Sequence, residues 1–495
     1  MAAGCEAKAA RPRLETNAKR PHNGTMLTHT YTELPEHFYA PVTPHAAPEP
    51  RLLAFNTPLA TELGLALPDA PDELAALFSG AQLPAGAKPI ALAYAGHQFG
   101  QLSPQLGDGR AALLGEAVTA AGHRFDVQLK GSGPTPFSRG GDGKSSLGPV
   151  VREYVISEAM HRLGVPTTRA LAAVRTGEDV LRDTILPGGV LTRVAASHIR
   201  IGTFEYFAIR GDKDAVRQLA DYAITRHYPE AGAADKPYRA LFAAVANAHA
   251  QLVAHWMALG FIHGVMNTDN MSIAGETIDY GPCAFLDEFA FNKVFSSIDR
   301  GGRYAYNQQP LIAQWNLARF AECLLGIDDD KAAYESILGT FDDLFEPAYR
   351  QKMAAKLGFG PSLGDDDSPL IRDFLTTLNE RGDDYTLSFR ELAERLVADA
   401  EPRLGSVEER WRVAVRAGDR TDNDIRAAMD AVNPIVIPRN HQVERAIQAS
   451  IGGDDSVMHA LIKALASPFE LQLGLEEFAI APKPAERVVR TFCGT

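Results

Sequence analysis

The fold of this chain is constrained most by an order of elements. A strand closing on a lysine is followed by a glycine-rich stretch and a helix carrying glutamates. Far downstream come two acidic motifs, entered from a long helix. Phe125-Asp126-Val127-Gln128-Leu129-Lys130 alternates apolar and polar side chains, the period of a half-buried strand. Residues 131–148 are glycine-rich, and 149–163 read as a helix with proline at its start, Val151, Val155, Ala159 and Leu163 on one face, and Gly164 as its stop. Further strands are expected at 170–175 and 190–195, and beyond residue 212 the pattern turns mainly helical. An alanine-rich helix over 238–259 runs into His263-Gly264-Val265-Met266-Asn267-Thr268-Asp269-Asn270. Residues 271–273 and 277–278 read as short strand-like pieces around a turn at Gly275, ending at Asp279-Tyr280-Gly281.

A chain of 495 residues can bury a large core as two domains or one two-lobed fold. The net charge of −13 argues against nucleic acid as the main partner, because neutralising phosphates needs a basic surface. No apolar run is long enough to span a bilayer. Residues 1–26 are expected to be a disordered tail, and the run Gly364-Asp365-Asp366-Asp367 a solvated loop. The four cysteines, Cys5, Cys283, Cys323 and Cys493, have no metal-site spacing and suit a reducing cytoplasm.

The downstream motifs resemble the catalytic loop and metal motif of a protein kinase, which reads His-Arg-Asp, four residues, then Asn, followed by a metal-binding Asp. Asn270 and Asp279 occupy the metal positions, but Val265 stands where the catalytic base belongs, and valine accepts no proton. Asp269 is the only carboxylate within the loop, which makes it the candidate base. Lys130 resembles the kinase strand lysine, which needs a carboxylate on the next helix. Glu153 and Glu158 both lie there, and periodicity does not choose between them. Arg110, Arg193 and Arg200 suit an anionic triphosphate. Gly143-Lys144-Ser145 is no P-loop, since Ser138 stands where that motif needs glycine. The order implies an α+β, protein-kinase-like two-lobed fold. Its strand-rich N-lobe is expected over 27–200 and its helical C-lobe, with a helical extension, over 201–495.

Longer segments carry a more specific resemblance: Tyr94-Ala95-Gly96-His97-Gln98-Phe99-Gly100, Leu106-Gly107-Asp108-Gly109-Arg110, Gln128-Leu129-Lys130-Gly131-Ser132-Gly133, Arg152-Glu153-Tyr154 and Asp279-Tyr280-Gly281-Pro282-Cys283. In these the chain closely resembles the selenoprotein O (SelO/YdiU) family of kinase-like protein adenylyltransferases. The resemblance implies that ATP binds flipped relative to kinases and that AMP passes to Ser, Thr or Tyr hydroxyls of target proteins, with UMP transfer in some members. It implies a Lys130–Glu153 ion pair and nucleotide contacts from Gly107, Gly109, Arg110, Asp142, Gly143, Arg193 and Arg200. Asn270 and Asp279 match ligands of Mg2+ or Mn2+, and Asp269 matches the base. It also implies a redox pairing of Cys283 with Cys493 in the bacterial cysteine-containing form. The expected partners are protein substrates, without nucleic acid or membrane, for a monomer in a bacterial cytoplasm. Two other readings predict different chemistry: an atypical phosphotransferase, and a catalytically silent nucleotide-binding pseudokinase suggested by Val265.

Overall fold

The computed structural model describes residues 27–360 and 368–492. The expected tail 1–26, the acidic run 364–367 and Cys493 lie outside the described residues. The N-terminal part is built on an antiparallel sheet. Its strands are β1 (Tyr39–Pro41), β2 (Arg51–Phe55), β3 (Ile90–Leu92), β6 (Ala111–Val118), β7 (Arg124–Lys130), β8 (Ser145–Ser146), β9 (Arg169–Leu181) and β10 (Ile185–Ala195). A separate two-stranded hairpin joins β4 (Gly96–Gln98) to β5 (Gln101–Ser103). The main sheet runs β1-β3-β6-β7-β10-β9-β2, with β8 paired to β10. The lysine strand β7 is therefore central, with Lys130 opposite Ala111 on one side and Leu191 on the other.

The helix Leu147–Arg162 packs one side on β9 and β10 and the other on the helices Asn440–Ile451 and Ser456–Leu465. Packing on both sides explains why its buried set extends beyond a single stripe to Arg152, Glu153 and Ser157. Its buried Arg152 reaches across to Glu444. The long helix Pro237–Leu259 lies at the centre of the helical part, against Gln309–Leu324 and Phe341–Lys356. It stops at Gly260 (φ 71°), and the chain runs at once into the His263 loop.

Two readings need correction. Helical structure begins at Ile201–Ala208, earlier than residue 212, because burial of Ile201, Phe204 and Phe207 sustains a segment with little intrinsic helix preference. The turn at Gly275 (φ 72°) is present, but the strand-like pieces 271–273 and 277–278 beside it reduce to single bridges. Ser272 bridges Arg200 and Thr277 bridges Thr167, so each is fixed by a distant segment. No helix among the described residues is long and apolar enough to cross a membrane.

Candidate active site

Three cations and two carboxylates meet where β7, β10, the Leu147–Arg162 helix and the Asp279 turn converge. Lys130 Nζ donates to Glu153 Oε2 at 2.7 Å and to Asp279 Oδ1 at 3.1 Å. Arg193, a neighbour of Lys130 across the β7–β10 ladder, donates from Nε to Glu153 Oε1 at 2.5 Å and from Nη2 to Asp279 Oδ1. Arg200 Nη1 donates to Asp279 Oδ2 and to the Asp269 carbonyl, both at 2.6 Å. Glu158, the other carboxylate on the helix, turns away to Arg169 and Asn56. Burial would raise the Asp279 carboxyl, but Arg193, Lys130 and Arg200 outweigh it and hold the group well below the usual range. The same contest, won by Arg193 and Lys130, lowers Glu153.

Asp279 has φ 64°, a left-handed conformation that aspartate tolerates better than most residues. His263 ties this turn to the loop before it. Its Nε2 faces the Ile278 carbonyl at 2.8 Å while its Nδ1 accepts from Val265 N–H at 3.4 Å, an arrangement that suits the Nε2–H tautomer. Burial lowers its pKa, so the motif histidine acts here as a neutral strut.

Asp269 sits in a short 3-10 turn, Thr268–Asn270, and is 7% exposed. Burial pushes its carboxyl up to about 6 against the pull of Arg200. Its Oδ2 accepts weakly from Gln98 Nε2 at 3.4 Å, and its Oδ1 has no hydrogen-bond partner. The β4–β5 hairpin presses on this loop so closely that a Cβ at Gly96 would lie 2.2 Å from Asp269 Oδ1. Asn270 donates from Nδ2 to the Val265 carbonyl at 2.9 Å, which turns its side chain back across the loop.

The hairpin is clamped by residues whose roles sequence reasoning missed. The buried Glu205 accepts from the Thr268 hydroxyl and pairs with His97 Nδ1, both at 2.5 Å, and Thr268 Oγ1 in turn accepts from His97 N–H at 2.7 Å. Phe99, at φ 52°, donates its N–H to Asn267 Oδ1 and to Tyr304 Oη, both at 3.1 Å. Gly96, His97 and Phe99 fell within a segment carrying the family resemblance. Glu205, in the first helix of the helical part, gave no local signal.

The glycine segments form a second layer. Gly107 (φ 66°) lies against the Phe137 ring, where a Cβ would come within 2.3 Å. Ser138 Oγ donates to the Gly109 carbonyl. Gly143 (φ 66°) nests on Gly133, whose carbonyl oxygen a Cβ would meet at 2.1 Å. Asp142 is exposed and held by Arg182 at 2.9 and 3.1 Å, with its carboxyl lowered chiefly by those hydrogen bonds. The half-buried Arg110 makes no side-chain hydrogen bond or ion pair with the described residues. Thus Lys130, Glu153, Arg193, Arg200 and Asp279 form one contact network, linked to Asp269 through Arg200. In this structure Asp142 belongs to a separate exposed contact with Arg182. Cys283 is buried directly after Pro282, whose carbonyl accepts from Thr491 Oγ1 at 2.5 Å.

The arrangement gathers cations suited to phosphate oxygens beside a buried carboxylate able to take a proton near neutral pH. Asn270 and Asp279 add an amide and a carboxylate, the hard oxygen donors that suit a cation completing its shell with phosphate and water.

Comparison with known proteins gives a consistent result. A family model described as protein adenylyltransferase SelO matches residues 24–466. A protein nucleotidyltransferase YdiU from Rhodopseudomonas palustris is 54% identical over 487 residues, covering 94% of this chain and 98% of the relative. A protein of the same description from Agrobacterium fabrum is 52% identical over 482 residues, covering 94% and 99%. Another, from Rhizobium johnstonii, is 50% identical over 495 residues, covering 96% and 98%.

Proposed function

Because the chain belongs to the SelO family of protein adenylyltransferases, we propose that it transfers AMP from ATP to Ser, Thr or Tyr hydroxyls of protein substrates through the cluster around Asp279. The observation that carries this is the Asp269 carboxylate, buried, raised to about 6 and with one oxygen unpartnered beside the Arg200–Asp279 pair. Asp269 takes the proton of the attacking hydroxyl. The hydroxyl oxygen bonds to the α-phosphorus, the bond from that phosphorus to the bridging oxygen breaks, and pyrophosphate leaves. Lys130, Arg193 and Arg200 hold the triphosphate and offset charge growing on the leaving oxygens. Arg110, whose side chain makes no hydrogen bond or ion pair among the described residues, is proposed to join them, with Gly107, Gly109, Asp142 and Gly143 lining the nucleotide. The entering phosphates compete with Asp279 for its three cations.

Asn270 and Asp279 are the proposed holders of Mg2+ or Mn2+. Among the described residues no His, Cys, Asp or Glu cluster of three is suited to a metal. A magnesium ion commonly uses only one or two carboxylates and takes its other ligands from phosphate and water, so the donor pair fits. Such a cation supplies charge neutralisation and orientation of the phosphates.

The proposed architecture is a kinase-like pair of lobes, 27–200 and 201–495, with ATP flipped. UMP transfer belongs to the same proposal, as does action by a monomer in the cytoplasm. A redox link between Cys283 and Cys493 is proposed from the resemblance. The Thr491 contact with Pro282, beside Cys283, supports that reading.

ATP labelled separately at the α- and γ-phosphates tests the reaction on protein substrates. Retention of α-label with release of labelled pyrophosphate is expected. Retention of γ-label alone overturns the proposal in favour of phosphotransfer, and no transfer by an ATP-binding protein favours a silent scaffold.

A further inference from the structure

The hairpin that presses Gly96 and Gln98 toward Asp269 contacts a different surface with its other face. His97 packs edge-on against Trp315, with ring centroids 5.4 Å apart. The Trp315 ring is flanked by two guanidinium groups, Arg303 at 4.7 Å and Arg319 at 4.9 Å from its centroid. All four side chains are half-buried. Arg319 is paired with Glu322 at 2.8 Å. Arg303 has no carboxylate partner among the described residues, and Asp299 in its loop accepts instead from the Arg303 and Tyr304 backbone N–H groups at 2.9 and 2.8 Å. Arg300, in the same loop, is exposed. A stacked, carboxylate-free arginine thus lies against Gly100 of the hairpin that covers the proposed base, in a chain whose net charge is −13.

Resting on the AMP-transfer reading above, we propose that Arg303 and Trp315 form a docking surface for the substrate protein, selecting acceptor hydroxyls that lie in an acidic segment. The argument is charge complementarity at a fixed place. Stacking on Trp315 holds the Arg303 guanidinium in one orientation, so less side-chain entropy is lost when it takes a carboxylate bidentately. Its separation from Asp269 by one hairpin puts the selected carboxylate on residues flanking the acceptor and leaves the acceptor to Asp269.

The test uses the full-length protein and two sets of fluorescein-labelled peptides carrying one Ser, Thr or Tyr, flanked either by Asp and Glu or by Lys and Arg. Anisotropy is expected to give at least about fivefold tighter binding of the acidic set. Arg303→Gln is expected to weaken that preference and Arg303→Glu to abolish or reverse it. Equal affinity for the two sets, absence of binding, or an acidic preference unchanged in both variants overturns the proposal. Transfer of α-label to the same peptides is scored separately. Acidic-selective binding without α-transfer would defeat the AMP-transfer reading and leave docking standing, whereas α-transfer blind to flanking charge would do the reverse.

Discussion

Two buried charge clusters, each joining the sheet to the helical part, differ in how completely they close. In one, Arg226 donates to Asp126, to the Tyr222 hydroxyl and to the Ala196 carbonyl, while Asp126 also takes the His198 N–H and ring. Glu116 in the same network accepts from Arg124, Thr30 and Tyr31. Two arginines face two carboxylates there, and the atoms left over include His198 Nε2 and the Tyr31 hydroxyl. In the other, Lys130, Arg193 and Arg200 face Glu153 and Asp279, and the neighbouring Asp269 keeps one oxygen without a partner. The first cluster is balanced and holds the sheet to the Lys213–His227 helix. The second gathers three cations around two carboxylates and keeps an unused proton acceptor beside them, an incomplete arrangement that a polyphosphate and a hydroxyl would complete.

Substitutions can break this contrast. The largest effect is expected from Asp269→Asn, which preserves shape but removes the proposed base: transfer should fall by about 10²- to 10⁴-fold. As the proposed base, Asp269 would be protonated and unable to take a proton below about pH 6, so kcat/KM should rise with pH through that value and level off above it. A pH series of α-label transfer checks both, and a rise surviving in the Asn variant would point to another group. Asp279→Ala should cost at least about a hundredfold in rate if charge stabilisation has its usual size, measured at saturating ATP and metal. Near-normal transfer by that variant would remove Asp279 from the metal assignment. Arg226→Ala should behave differently. It leaves Asp126 buried without its main cation, so denaturant unfolding should show a loss of about 3–5 kcal/mol. The KM for ATP of the folded protein should not move, and a large change in it would erase the distinction between the clusters.

Much of the second cluster was legible because its members lie on elements with clear local signatures. Lys130 closes an alternating strand, and the Asp279 motif follows a long helix and a polar loop. The choice between Glu153 and Glu158 was not available from periodicity, since both lie on a helix packed on two sides. It is decided by Arg169 and Asn56, which draw Glu158 away through contacts distant in sequence. The pieces beside the Gly275 turn are likewise set from far away, because Ser272 and Thr277 pair with Arg200 and Thr167. Glu205 was invisible because its role depends on a hairpin 108 residues earlier in the chain. The Arg182–Asp142 contact likewise joins a loop to a remote strand end. Local pattern reports element type and chemistry; long-range pairing reports which carboxylate meets which cation.

The contact between Gly96 and Asp269 also bears on descent. With only 2.2 Å between a Cβ at position 96 and Asp269 Oδ1, alanine is barred at 96 for as long as the carboxylate remains at 269. A lineage that abandoned the reaction and lost that carboxylate would shed the two tightest contacts but would still hold a Cβ at 269 only 2.9 Å from one at 96. The glycine is thus tied first to the carboxylate and then to any side chain at all at position 269.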